Sequence, residues 1–413
     1  MNRNLSILTV NQFLTNMADS IFQIVLFWYI YHQTGSALSA SLVTAISFTI
    51  QIFAAPIIGV FADRLQPKRS ILLSFLLLGS IGILFVPFHF LSESFTIIYI
   101  YTAVIIHTCC MMFETSSKTR LIPLFTGPQN IIKTNGYLSS AGNLAELLGS
   151  SFGGALLAVL SLTSVMLIHS GFYFLAGLLL LFLVNAKQAE PSASGEKPAE
   201  SADRPSFFQD LLDSLKLIKT NRPLGKFIIL SSVLNISMLN ASLLVVLVSS
   251  HYHGSSAAFG LFTMFGVLSS ILIGLAITPL TSRLNARTLL TSGLLLNGAA
   301  TLMMGITDWM IGGILLNMLV FASGSVLRIT FQSFMILCVE DRFRGRMMSL
   351  AIAISAVVVP LVSLLGGYLS DHFSVGLVYI LSGTWILMWA LFPLLDRDLR
   401  TMDLSSRTKP LSL

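Results

Sequence analysis

Apolar residues in this chain fall in long unbroken blocks separated by short polar turns. Many blocks run to about 20 residues, the length a helix needs to cross a hydrocarbon core of about 30 Å. Lipid offers no hydrogen-bond partner to a bare backbone, so a spanning segment is either a helix or part of a closed barrel. A barrel strand alternates apolar and polar positions. The continuous run from Ile71 to Val86 does not, which leaves helices. Punctuation by polar and glycine-rich turns predicts six spans in the first half of the chain, near 6–31, 38–62, 70–90, 95–116, 136–160 and 163–185. Six more are predicted near 224–250, 256–280, 287–307, 309–333, 346–370 and 374–395. The first run is longer than the apolar core of a signal peptide, and no small-residue cleavage site follows it. It is expected to stay as a spanning helix.

Charge placement tests this layout. Numbering the loops alternately from a cytoplasmic N-terminus puts 23 of the 24 Lys and Arg residues on one side, and the remaining one, Arg328, lies inside the tenth span. Basic residues beside helix ends are retained in the cytoplasm, so the pattern predicts an all-α polytopic protein with twelve helices and both termini cytoplasmic. The net charge of +6 is then a topological signal and calls for no nucleic-acid partner. Composition agrees: 54% of the residues are apolar and 10% charged, where a soluble domain carries roughly 25% charged residues. Cys109, Cys110 and Cys338 form neither a disulfide framework nor a metal-ligand cluster.

The longest polar stretch, 186–222, divides the chain into two six-helix parts, 1–185 and 223–413. Its first portion is rich in Ala, Pro, Ser, Glu and Lys and cannot bury a core. Its second portion opens with Ser206-Phe207-Phe208-Gln209, a capping box, and then repeats apolar residues on one face through Ile218. It reads as a short amphipathic helix on the inner membrane surface or packed on the protein. The two parts also look like repeats. Aligning Gly153-Gly154 with Gly366-Gly367 offsets them by 213 residues and superposes the fourth span on the tenth.

Polar groups at bilayer depth cost at least about 2.5–3.5 kcal/mol when charged, so each needs a reason. Gln12, Asn16, Asp19 and Gln23 share one face of the first span, and His107, Met111, Glu114 and Lys118 one face of the fourth. The seventh offers Ser231, Asn235, Met238 and Ser242, and the tenth Asn317, Phe321, Gly324, Arg328 and Gln332. Glu114 and Arg328 occupy nearly equivalent places in the two halves, which suggests that they face each other. In the fifth span Gly142, Glu146, Gly149 and Gly153 lie on one face beside Gly154, a seam of small residues expected between the halves. Structural readings stand beside these: a buried acid held by Asn or Gln for Asp19, pairing with Lys118 or Arg120 for Glu114, and plain packing for His107 and His169. His251 and His253 sit on a loop without further metal ligands in sequence.

The turn after the second span reads Gly59-Val60-Phe61-Ala62-Asp63-Arg64-Leu65-Gln66-Pro67-Lys68-Arg69. It resembles the G-x-x-x-D-R-x-G-R-[KR] signature of the major facilitator superfamily, with Pro67 at the usual glycine. Thr34-Gly35-Ser36-Ala37-Leu38 and Arg344-Gly345-Arg346 add to the resemblance, which covers essentially the whole chain. It is similar to the branch with macrolide-efflux, siderophore-export and multidrug proteins. The resemblance implies a monomeric transporter in a bacterial cell membrane, with helices 1, 4, 7 and 10 around a central cavity. It also implies that Gly59, Asp63, Arg64, Lys68 and Arg69 form a conformational switch, Asp63 meeting the N-terminal end of helix 11. The fifth span looks like the antiporter motif of family exporters, with Ser150 replacing its proline. No phosphate-binding loop of the G-x-x-x-x-G-K-[ST] type is present, so energy would come from an ion or solute gradient without a bound cofactor. The expected activity is proton-coupled export of an amphipathic small molecule, with Asp19 and Glu114 as coupling candidates and Phe13, Phe22, Met111, Met112 and Phe321 as adaptable apolar walls. Uptake, lysolipid flipping and, from another class, a receptor or membrane enzyme are the alternatives; no nucleophile constellation supports the last.

Overall fold

The computed structural model describes residues 3–91, 93–126, 131–183, 238–283, 285–338 and 341–395. The first six helices are α1 (Arg3–Thr34), α2 (Ala37–Arg64), α3 (Pro67–Leu91), α4 (Glu93–Thr126), α5 (Ile131–Val159) and α6 (Leu162–Leu181). The second six are α7 (Met238–Val246, continued by a π-helical turn at Leu247–His251), α8 (Ser256–Arg283), α9 (Ala286–Ile306), α10 (Met310–Cys338), α11 (Asp341–His372) and α12 (Val375–Ala390). Eight of the described helices are long and apolar enough to cross a membrane by themselves. Val159, Leu275 and Phe53 are 84%, 77% and 73% exposed. Apolar side chains so bare are placed for a lipid solvent. The linker 186–222 and its expected amphipathic helix lie outside the described residues.

Serine side chains start the helices at one end of the molecule. Ser36, Ser161 and Ser374 accept from the backbone N–H three residues on and cap α2, α6 and α12. Ahead of Ser36 the chain reverses through Gly35 at φ +61°, a left-handed conformation that glycine adopts without a Cβ clash. Arg64, Lys68 and Arg69 mark the other end, called here the basic end. Helices run past their apolar windows there. α4 continues to Thr126 instead of stopping near 116, which puts Lys118 and Arg120 on a helix and not in a loop.

The halves meet through two crossed helix pairs, α5 with α8 and α2 with α11. The Gly154 backbone lies so close to Gly260 that a Cβ on either would stand within 3.0 Å of the other helix, and a Cβ on Gly367 would stand 2.7 Å from Leu38 Cα. Gly154 and Gly367 are the residues superposed by the 213-residue offset, so the internal repeat corresponds to two equivalent close approaches. The expected seam was drawn too wide. Cβ atoms on Gly142, Gly149 and Gly153 would meet Asn16, Ser20 and Ile21 of α1. That stripe therefore packs within the N-terminal half, and Gly154 is its member that bridges the halves. The two close approaches between the halves lie toward the end opposite the basic one, where Ile24, Ala37 and Ala40 share an apolar cluster with Val245, Phe259 and Tyr379.

Candidate functional site

Three helices of the N-terminal half bring their polar side chains together. On α1 the spacing of Gln12, Asn16 and Asp19 keeps them on one face. Gln12 Nε2 donates to Asn16 Oδ1 at 2.7 Å. From α4, Lys118 Nζ donates to Gln12 Oε1 at 2.9 Å and also pairs with Glu114 one turn back. Glu114 is 2% exposed, and its Oε2 has no hydrogen-bond partner. Asp19, 9% exposed, holds His107 Nε2 of α4 at 3.0 Å from its Oδ1 and accepts from the Tyr173 hydroxyl of α6. Asn11 ties α1 to α6 through a 2.7 Å bond to the Ala176 carbonyl. Phe22 stacks on His107 at a 4.6 Å centroid distance and lies 5.1 Å from His169.

Two carboxylates lie in this cluster with one ammonium: Lys118 pairs with Glu114, and the ion-pair partner of Asp19 among the described residues is His107. Buried charge is tolerated where it is balanced. With His107 neutral the cluster is one positive charge short. A proton on His107 or on either carboxyl closes the gap, and so would a cationic group from outside.

The sequence-based map is therefore partly redrawn. Gln23 is exposed and stands apart from the cluster, although it shares the α1 stripe. Glu114 does not face Arg328: its partner is Lys118, and its electrostatic neighbours are Asp19 and His107. Arg328, exposed on α10, acts instead on Glu146 of α5. Glu146 is an exposed residue of α5 whose electrostatic neighbour, Arg328, belongs to the other half. On α10, Asn317 donates to the Phe262 carbonyl at 2.7 Å and Phe321 packs over Gly266, so these two bind α8 and do not line a cavity. Phe22 is likewise 3% exposed and no wall residue. Asn235, Ser231 and the side chain of Gln332 lie outside the described residues.

His107 and Tyr173 were missed as partners of Asp19, and His107 was read as packing. The available signal was His169 and Tyr173 one turn apart on α6, polar tips on an otherwise apolar span, but a tyrosine counts as apolar in a hydropathy reading. In the switch loop Lys68 donates to the carbonyls of Leu181, the last residue of α6, and Leu183, just beyond it, at 3.2 Å each. Arg120 donates to the Ala62 carbonyl at the end of α2. Arg64 and Arg69 are exposed, Gly59 has nothing within 4 Å of where a Cβ would stand, and the Asp63 side chain lies outside the described ones.

Comparison with known proteins places the chain and its fold. Macrolide efflux protein A of Streptococcus pyogenes is 21% identical over 395 residues, covering 94% of each chain. The MFS-type transporter YvqJ of Bacillus subtilis is 21% identical over 357 residues, 86% of this chain and 83% of its own. A variant of the nucleoside transporter NupG superposes with a TM-score of 0.76 at 14% identity, over 95% of this chain and 99% of that one. A bacterial homologue of the iron transporter ferroportin in an inward-facing state gives 0.73 at 13% identity, over 97% and 99%. A family profile described as Major Facilitator Superfamily matches residues 8–241 and again 226–410. With its two repeated six-helix halves, the chain belongs to the Major Facilitator Superfamily.

Proposed function

We propose that this transporter exports an amphipathic small molecule by alternating access, driven by protons that enter and leave the Asp19–His107–Glu114–Lys118 cluster. The observation that carries the reading is the charge balance: two buried carboxylates against one lysine, with a histidine 3.0 Å from one of them. A group that is neutral only when protonated favours whichever conformation keeps it dry, and releases the proton when the other exposes it to water. The likeness to a macrolide efflux protein over 94% of both chains supports the outward direction and an amphipathic cargo. Half-buried Phe13, Met111 and Met112 stand near the cluster as adaptable apolar contacts. The basic end, with Arg64, Lys68 and Arg69, is assigned to the cytoplasm along with both termini by the retention of basic residues. The protein works as a monomer in this reading, in a bacterial cell membrane.

Inverted membrane vesicles with an imposed pH gradient test it. The parent protein is expected to accumulate a fluorescent amphipathic cation only while the gradient lasts, and Asp19→Asn and Glu114→Gln to lose the gradient-driven component. Gradient-independent accumulation by the parent, or unchanged coupling in both variants, would sink the proposal.

A further inference from the structure

The motif Thr34–Leu38 has found no role in the cluster just described, yet it makes a polar contact between the halves. Asp371, at the C-terminal end of α11, accepts from Ser36 Oγ at 2.6 Å, from the Ala37 N–H at 2.6 Å and from the Leu38 N–H at 3.1 Å. A carboxylate thus sits on the N-terminus of α2, where unpaired N–H groups and the helix dipole attract negative charge. Gly35 makes the fit possible. Its left-handed turn lets α2 start immediately after α1, with its first N–H groups turned toward α11.

We infer that Asp371 is a latch that holds the transporter closed at the end opposite the basic one, and that its release opens that end. Three features support a latch over a fixed cap. First, the contact joins α2 to α11 across the two halves, so relative motion of the halves must make or break it. Second, three charge-assisted hydrogen bonds on one carboxylate are strong, yet Asp371 and Ser36 are at the surface. A cavity of about 350 Å³ lined by Tyr31, Ser250, His251, Asp371 and Ser374 adjoins the carboxylate. Water can therefore replace the lost partners, and opening leaves no dry unpaired charge. Third, α2 and α11 run antiparallel, and each carries an aspartate in its last turn. Asp63 closes α2 at the basic end, and Asp371 closes α11 at the far end. Two acids at opposite ends of one helix pair suit a device in which one contact forms as the other breaks. The inference rests on alternating access but not on the coupling ion, the cargo or the direction of transport.

The test reads conformation in purified protein, without substrate or gradient. Ala40 is fully buried in the apolar cluster that joins the halves. Ala40→Cys is introduced after Cys109, Cys110 and Cys338 are changed to alanine, and its reaction with a bulky charged maleimide is timed. Asp371→Asn is expected to speed labelling about tenfold, the scale of losing one charge-assisted bond. Ser36→Ala should speed it about threefold, and it decides the matter if Asp371→Asn cannot be purified. An unchanged labelling rate overturns the latch. So does lower thermal stability with unchanged labelling, which would make Asp371 a cap for folding alone. Because no flux is measured, failure of the proton-coupling proposal leaves this result intact.

Discussion

The two halves share a fold and a repeat, but they bury different polar chemistry. In the N-terminal half, Asp19 and Glu114 are ionisable acids placed on histidine, tyrosine and lysine. In the C-terminal half the buried polar groups among the described residues are amides and hydroxyls: Asn317 on the Phe262 carbonyl, and Asn297 on the Val320 carbonyl and Ser323 Oγ. An amide satisfied by a backbone carbonyl has one state. A carboxylate beside a histidine has at least two, and the difference between them is a charge that water-exposed and dry conformations weigh differently. The repeat therefore supplies a moving scaffold, and one half supplies what the movement can respond to.

The largest effect that would break this comparison comes from Lys118. Lys118→Met leaves the Glu114 carboxylate buried without its cation, at a cost of about 3 kcal/mol or more in unfolding free energy. The double variant Lys118→Met/Glu114→Gln removes both charges and is expected to recover most of that stability while gradient-driven transport stays lost. Thermal melting in detergent and vesicle flux, measured on the same preparations, separate the two outcomes. If the single variant melts like the parent, the pair contributes little and the proposed imbalance of charge fails with it.

The next effect concerns how the halves are joined. Gly149→Ala drives a Cβ to 2.7 Å from Ser20 Cβ within the N-terminal half, whereas Gly154→Ala drives one to 2.4 Å from the Ser256 carbonyl across the boundary. Overpacking of this kind costs typically about 1–3 kcal/mol. Gly149→Ala is expected to lower the melting temperature in every condition. Gly154→Ala should instead push the far ends apart, so labelling of Ala40→Cys accelerates even with Asp371 intact. Equal behaviour of the two variants would mean that the seam does not divide at Gly154.

Much of the fold was legible because it follows from one-dimensional constraints. Apolar length, basic residues at alternate turns and a glycine-pair repeat each leave a signal in sequence order. The cluster was only half legible, for a physical reason. Periodicity shows which residues share a face of their own helix, and it placed Gln12, Asn16 and Asp19 together, and Glu114 with Lys118. It does not show which helix that face meets. Glu114 was matched with Arg328 by pseudo-symmetry, but an acid with a lysine one turn away on its own helix needs no distant partner. The α10 stripe misled in the same way. Asn317 and Phe321 are on one face with Arg328, yet they point at a neighbouring helix instead of open space. Asp371 went unread because its partners are backbone N–H groups, which no residue pattern records.

In the second half a buried amide offers the matched control. Asn317→Ala removes the side-chain donor from which the Phe262 carbonyl accepts besides its helix bond, and should cost about 1 kcal/mol. The pH dependence of transport is expected to stay that of the parent, since no titrating group has been touched. A shifted pH profile in Asn317→Ala would place ionisable chemistry in both halves and erase the contrast.

The smallest effect marks where the acid chemistry ends. His169 is fully buried, between Phe22 and Tyr173, and neither ring nitrogen has a hydrogen-bond partner. Two unsatisfied buried nitrogens cost stability, while ring stacking returns about 0.5–1.5 kcal/mol. His169→Leu gives up both, so its unfolding free energy should stay within about 1 kcal/mol of the parent's. Transport discriminates further. A histidine that relays protons must hydrogen-bond to a donor or acceptor at some stage, and one that only fills space need not. If His169→Leu keeps gradient-driven flux, the charge system ends at the Tyr173 hydroxyl and the deeper imidazole is core. If flux is lost while folding is preserved, His169 must turn toward Asp19 or His107 in another conformation. The cluster would then extend one turn further along α6 than this conformation displays.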